Sequence, residues 1–171
     1  MSSDRGALQR SVFERWPESL AVCLDEAMRG GDSGFTLSLS AIDLLAEPAM
    51  VRTALLSAGE CCLIGAQVLR LALWPTSRAS AALHRHPHAT LAWVAEQAYF
   101  QAQIATVPLG TTAGGLACFE ARLVGGEAQR AGYAELRSGI EFALGEQRSE
   151  VLARWARQLE EMRQLPSAAA D

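Results

Sequence analysis

The stretch Ser77-Arg-Ala-Ser-Ala-Ala-Leu-His-Arg-His-Pro-His-Ala-Thr-Leu91 separates an apolar run before it from another after it. It places a hydroxyl and a guanidinium at the opening of a short helix. Pro87 then stops that helix just ahead of a strand, because a proline drives the residue before it out of the helical region. The N–H groups of a first helical turn have no partner inside the helix, and the aligned peptide dipoles put partial positive charge there. An anion is therefore favoured where side chains help to grip it. Ser77 and Arg78 supply such a grip. In the alternative reading, Thr76 or Ser77 simply caps a surface helix.

Working outward, residues 89–94 and 98–107 read as strands, the second with Phe100, Ala102 and Ile104 alternating with polar neighbours. Gly110 to Gly115 makes a turn, residues 116–124 a further strand, and Gly125-Gly126 is expected to end it. Upstream, Phe35, Leu37 and Leu39 alternate with Thr36, Ser38 and Ser40. Residues 50–56 follow Pro48 as a second strand, with helix as the open alternative. Residues 61–64 extend or restart it, and residues 68–74 form a third strand that Pro75 closes. A helix is expected from about residue 6 to 29, broken or restarted at Pro17 and ended by the 30–34 turn. Helices are expected again at 131–144 and 149–165, followed by a tail from Pro166 to Asp171. Six short strands in one block, with helices at either side, favour antiparallel neighbours in a small barrel or curled sheet over parallel winding.

The chain of 171 residues is half hydrophobic, and its 15 basic and 19 acidic residues give a net charge of −4. That charge offers no general attraction for nucleic acid or anionic lipid, so neither is expected as a partner. The opening MSSDRGALQRSVFERWPESL lacks the apolar run of a signal peptide, and no stretch has the length of a membrane span. A cytoplasmic protein is expected. Cys23, Cys61, Cys62 and Cys118 show no C-x-x-C spacing, which suggests buried free thiols, with Cys61 and Cys62 on opposite faces of a strand.

Arg52 stands among Val51, Ala54, Leu55 and Leu56, where a guanidinium needs either a carboxylate or a ligand anion. Gln101, alternating with Phe100 and Ala102, faces either solvent or a polar ligand edge. His84, His86 and His88 read as solvated helix-end residues rather than metal ligands, because Pro87 cuts the helix between them. No nucleophile elbow, P-loop, dinucleotide fingerprint or H-E-x-x-H motif is present, and no side chain stands out as a catalytic acid or base.

The order of these parts resembles the pyridoxamine 5′-phosphate oxidase-like superfamily of FMN-binding split barrels over roughly residues 12–126. Residues 13–16 (Phe-Glu-Arg-Trp) are similar to its leading helix, 35–40 to its first strand, and 48–56 with Arg52-Thr-Ala-Leu-Leu to its second. Ser77-Arg78, Leu83, Pro87 and residues 89–91 have the spacing of its phosphate-binding helix and next strand, and Gln101 matches a flavin-contacting glutamine. The resemblance implies a mainly β fold with flanking helices: a single domain over 1–171, with a six-stranded antiparallel split β-barrel at about 34–126, a helical N-terminus at 6–29 and C-terminal helices within 129–165. It also implies FMN at the interface of a homodimer, acting on an unidentified small molecule. Arg52 and Arg78 then meet the phosphate, Ser77 and Thr76 donate to it, the backbone of Arg52, Thr53, Ala54, Leu55 and Leu56 lines the isoalloxazine, and Gln101 touches its polar edge. Two departures weaken the phosphate site: Ala79 stands where the family often has Lys, and Ser57 replaces a basic residue. The Arg-x-His substrate motif of the true oxidases is also missing, so that activity is not carried over. The alternative is a split-barrel dimer with lost or altered cofactor binding that serves as a ligand-binding or scaffold protein.

Overall fold

The computed structural model describes residues 7–30 and 34–168; the expected helix start at Gly6, the middle of the 30–34 turn and the end of the tail lie outside the described residues. In chain order the elements are β1 (Leu8–Phe13), α1 (Glu18–Met28), β2 (Thr36–Asp43), β3 (Met50–Ser57), a 3₁₀ turn (Ala58–Glu60), β4 (Cys61–Ile64), β5 (Val68–Leu73), α2 (Arg78–Arg85), β6 (His88–Ala95), β7 (Ala98–Thr111), β8 (Ala117–Ala131) and α3 (Arg148–Gln164). The strands make one curled antiparallel sheet in the order β3-β2-β6-β7-β8-β5-β4, with β1 added to the far end of β8. It is thus a mainly β fold with three helices, and the sheet has eight strands where six were expected.

The inward face is built by the alternation visible in the sequence. Leu37, Leu39 and Ala41 of β2, Leu91 and Trp93 of β6, and Phe100, Ala102 and Ile104 of β7 meet in one core, which Leu20 and Leu24 of α1 close from one side. Trp16 anchors the entry to α1 by donating its indole N–H to the Gln67 carbonyl at 3.0 Å. The short strands β4 and β5 are covered on both faces. Leu69, Leu71 and Cys61 join the main core, while Cys62, Ala72 and Cys118 pack on the other side with Leu159 and Met162 of α3. The unbroken apolar run of 68–74 reflects that double burial, and Cys61 and Cys62 do face opposite ways.

Three expected elements differ. Residues 8–13 are a strand paired with Phe13↔Gly126 through Leu8↔Ala131, not the first part of a helix, and residues 14–16 are not helical either. Pro17 explains the change, because it keeps the preceding residue extended and sits at the N-cap of α1. Gly125-Gly126 does not end β8, which runs on to Ala131. A Cβ on Gly126 would lie 2.1 Å from the Phe13 ring, so the glycine lets β1 approach. Residues 132–147 are irregular rather than helical. They are interrupted by Gly132 and Gly139 and tied beside the start of β2, where Thr36 Oγ1 donates to the Ile140 carbonyl and Phe142 N to the Gly34 carbonyl.

Candidate functional site

The helix opening singled out in the sequence lies beside β3. Ser77 is the N-cap of α2, and its Oγ accepts from Ser80 N at 3.1 Å, so the capping reading holds. Its carbonyl accepts from Ala81 N, which leaves the N–H groups of Arg78 and Ala79 as the first-turn donors without a partner among the described residues. Residues 51–54 of β3 and 77–79 of α2 together line an open groove of about 340 Å³. Arg52 and Arg78 therefore border the same space.

Of the two partners open to Arg52, the structure supplies the carboxylate: Arg52 Nε donates to Asp43 Oδ2 at 3.1 Å. That hydrogen bond holds the Asp43 carboxyl below its usual value. Only Nε is spent, and the two terminal guanidinium nitrogens make no hydrogen bond among the described residues. Arg78 is exposed, with no ion pair among them either. Because β3 is an outer strand of the sheet, alternate residues along it also present N–H and C=O groups to no neighbouring strand.

The other predicted residues are placed unevenly. Ala54 lines the groove. Thr53 borders it too, with its hydroxyl on the outer sheet face, 3.2 Å from that of Ser40. Leu55 is half exposed on that outer face and Leu56 is buried in the core, so only their backbone is available. Thr76 is exposed in the turn before α2 and does not line the groove. Gln101 shares an outer-face row with Ala92, Ser38 and Leu55. Three strand spacings, about 14 Å, separate it from β3. Within one chain it does not converge with Arg52 and Arg78.

Both departures from the family pattern have structural reasons. Ala79 is almost fully buried and packs in the core cluster while bordering the groove. Ser57 starts the 3₁₀ turn, with its N and Oγ donating to Glu60 Oε2 at 2.7 and 2.8 Å.

A third arginine, Arg70, interrupts the apolar run of 68–74 and had no role assigned from the sequence. Arg70 and Glu120 face each other in register across β5 and β8, both almost fully buried, with Arg70 Nη2 3.5 Å from Glu120 Oε2. Arg70 also donates to the carbonyls of Met162 and Leu165 and to Ser167 Oγ, capping the negative end of α3. The available signal was Arg70 alone in the apolar strand β5 and Glu120 of β8 directly after the apolar run 116–119. His84 packs on Phe119 and His86 on His88, and among the described residues no group of His, Cys, Asp or Glu is placed to hold a metal. Nor is any described helix long and apolar enough to cross a membrane.

No protein-family model matches the chain, and no curated relative does. Among solved structures, a candidate 5-nitroimidazole antibiotic resistance protein from Bacteroides thetaiotaomicron VPI-5482 is 8% identical, with a TM-score of 0.45, over 72% of this chain and 90% of that one. A second solved chain is 16% identical, with a TM-score of 0.39, over 68% and 95%. At such scores neither protein's description is carried over to this chain.

Proposed function

We propose that this chain is an FMN-binding split-barrel flavoprotein, a single domain that pairs with a second copy and acts as an oxidoreductase on a small molecule. The observation that carries the reading is the groove in which Arg52 and Arg78, from separate elements, border one space beside unpaired helix N–H groups. The donor set fits a phosphate dianion. An arginine fork matches its oxygens, and each charge-assisted bond contributes about 1.5–3 kcal/mol. The Ser77 hydroxyl keeps its proton to donate while its oxygen caps α2, Thr76 borders the approach, and the free edge of β3 offers backbone groups to a flat polar ring. Bound flavin supplies the electron chemistry, and the protein supplies position and electrostatics.

Gln101 does not reach the groove of its own chain, so in this reading a second copy brings it. Ile42, Val51 and Leu55, exposed neighbours on the outer face of β2 and β3, give that copy an apolar surface. A visible spectrum of the purified protein, followed by FMN titration, tests the reading: flavin bands that reconstitute support it, and a colourless protein that ignores millimolar FMN removes it. Sedimentation showing a monomer at micromolar concentration removes the shared site. The second reading, a dimer that has lost the cofactor, draws on Ala79 and Ser57, both committed to packing and capping; the colourless outcome favours it.

A further inference from the structure

We propose that the cavity between α3, the 3₁₀ turn and the 112–116 turn is a binding site for an aromatic carboxylate that bears an N–H or O–H donor. It encloses about 530 Å³ and shares no lining residue with the Arg52–Arg78 groove. That volume lies within the range of small-molecule pockets and suits a substituted single or fused ring. Leu116, Phe142, Leu144 and Trp155 form its apolar wall, with Phe142 and Trp155 edge to face at 6.0 Å. Trp74, largely exposed, stands at its mouth.

The polar groups show what end the ligand must have. Glu60 is spent on Ser57, as above, and Glu161 Oε2 accepts from Gly114 N at 2.8 Å, so both carboxylates of the cavity are engaged. Arg154 and Arg157, on the same face of α3, have no ion pair or hydrogen bond among the described residues. The bonds to Glu60 and Glu161 come from neutral donors and leave both carboxylates charged, so what is unspent is the donor capacity of the two guanidinium groups, which bind a carboxylate through parallel N–H donors. Between them and Glu161 along this face, Gln158 Oε1 is buried with no hydrogen-bond partner among the described residues. A buried acceptor left unpaired is costly, and a donor on the ligand relieves it. An apolar wall, two guanidinium groups with free donors and one orphan acceptor together define the class.

Calorimetric titration of the full chain with para-hydroxyphenylacetate, and with its neutral alcohol counterpart tyrosol, tests the assignment. The acid binds, and tyrosol binds at least about tenfold more weakly, a comparison that needs no variant. Arg154→Ala/Arg157→Ala reduces acid affinity by a similar factor and leaves the melting temperature in place, since both side chains are exposed. Gln158→Leu weakens para-hydroxyphenylacetate but not phenylacetate, which has no ring donor. FMN affinity is unchanged in both variants, so failure here is separate from failure of the flavin reading. Equal binding of acid and alcohol, no binding of the acid at millimolar concentration, or full binding to the double variant overturns the proposal.

Discussion

Arg70 and the pair Arg52–Arg78 present one side chain in two economies. At Arg70 the hydrogen-bonding capacity is turned inward, to Glu120, two carbonyls at the end of α3 and the Ser167 hydroxyl. Beside β3, Arg52 spends a single nitrogen on Asp43, and Arg78 has no ion pair among the described residues. Both terminal nitrogens of Arg70 are engaged by its own chain, with Nε alone buried and unpartnered among the described residues, and that engagement holds the fold together. A cation with both terminal nitrogens free in a groove has capacity for something else. Burial alone does not make the distinction; the inventory of donors does.

The contrast is broken most directly at Arg70. Arg70→Met strands the buried Glu120 carboxylate, whose remaining contact is to the half-exposed Arg122, and is expected to cost about 3–5 kcal/mol in urea denaturation. Adding Glu120→Leu should restore much of it, and a single variant costing under about 1 kcal/mol would show that the clamp on α3 is idle. Arg78→Ala should do the reverse. FMN affinity is expected to fall by about tenfold or more, while stability moves by no more than about 0.5 kcal/mol. Equal losses in both would make Arg78 a second structural arginine.

Gly126→Ala sharpens the contrast from neutral ground, because the new methyl meets the Phe13 ring and nothing near either arginine. A loss of about 1–3 kcal/mol from displacing β1 is expected, read as a lower Tm with the FMN titration unmoved. The smallest effect comes from the buried thiols of β4 and β8. Burial pushes Cys61, Cys62 and Cys118 up, the last from 9.0 to about 11. A group whose folded value is raised stabilises below its unfolded value and loses that contribution as pH climbs through the folded one. Tm should therefore decline gently between about pH 9 and 11, less so in Cys118→Ala.

Much of the central sheet was legible because its signals are local. Strict alternation in β2 and β7, and the serine and proline that bracket α2, declare themselves within a few residues. The elements that escaped depend on distant partners. The strand β1 is exposed along most of its length and becomes a strand only because β8 runs past it. The glycines in β8 looked like a terminator, and one of them, Gly126, instead makes room for Phe13. Residues 132–147 held enough apolar side chains to suggest a helix, yet Phe142 and Leu144 pack against the core from an irregular path. The candidate groove was half legible: Ser77, Arg78 and Arg52 were each visible, but that Asp43 would take only one nitrogen of Arg52 is a property of register.

The adjacent thiols at 61 and 62 carry one more implication. Each sulfur looks into a different interior, and the two side chains are identical, so sliding β4 by a single position would exchange them at little loss of apolar contact. The strand's own composition therefore cannot fix its alignment. That task falls to what precedes it, where Glu60 folds back onto Ser57 and sets the phase in which the chain enters the sheet.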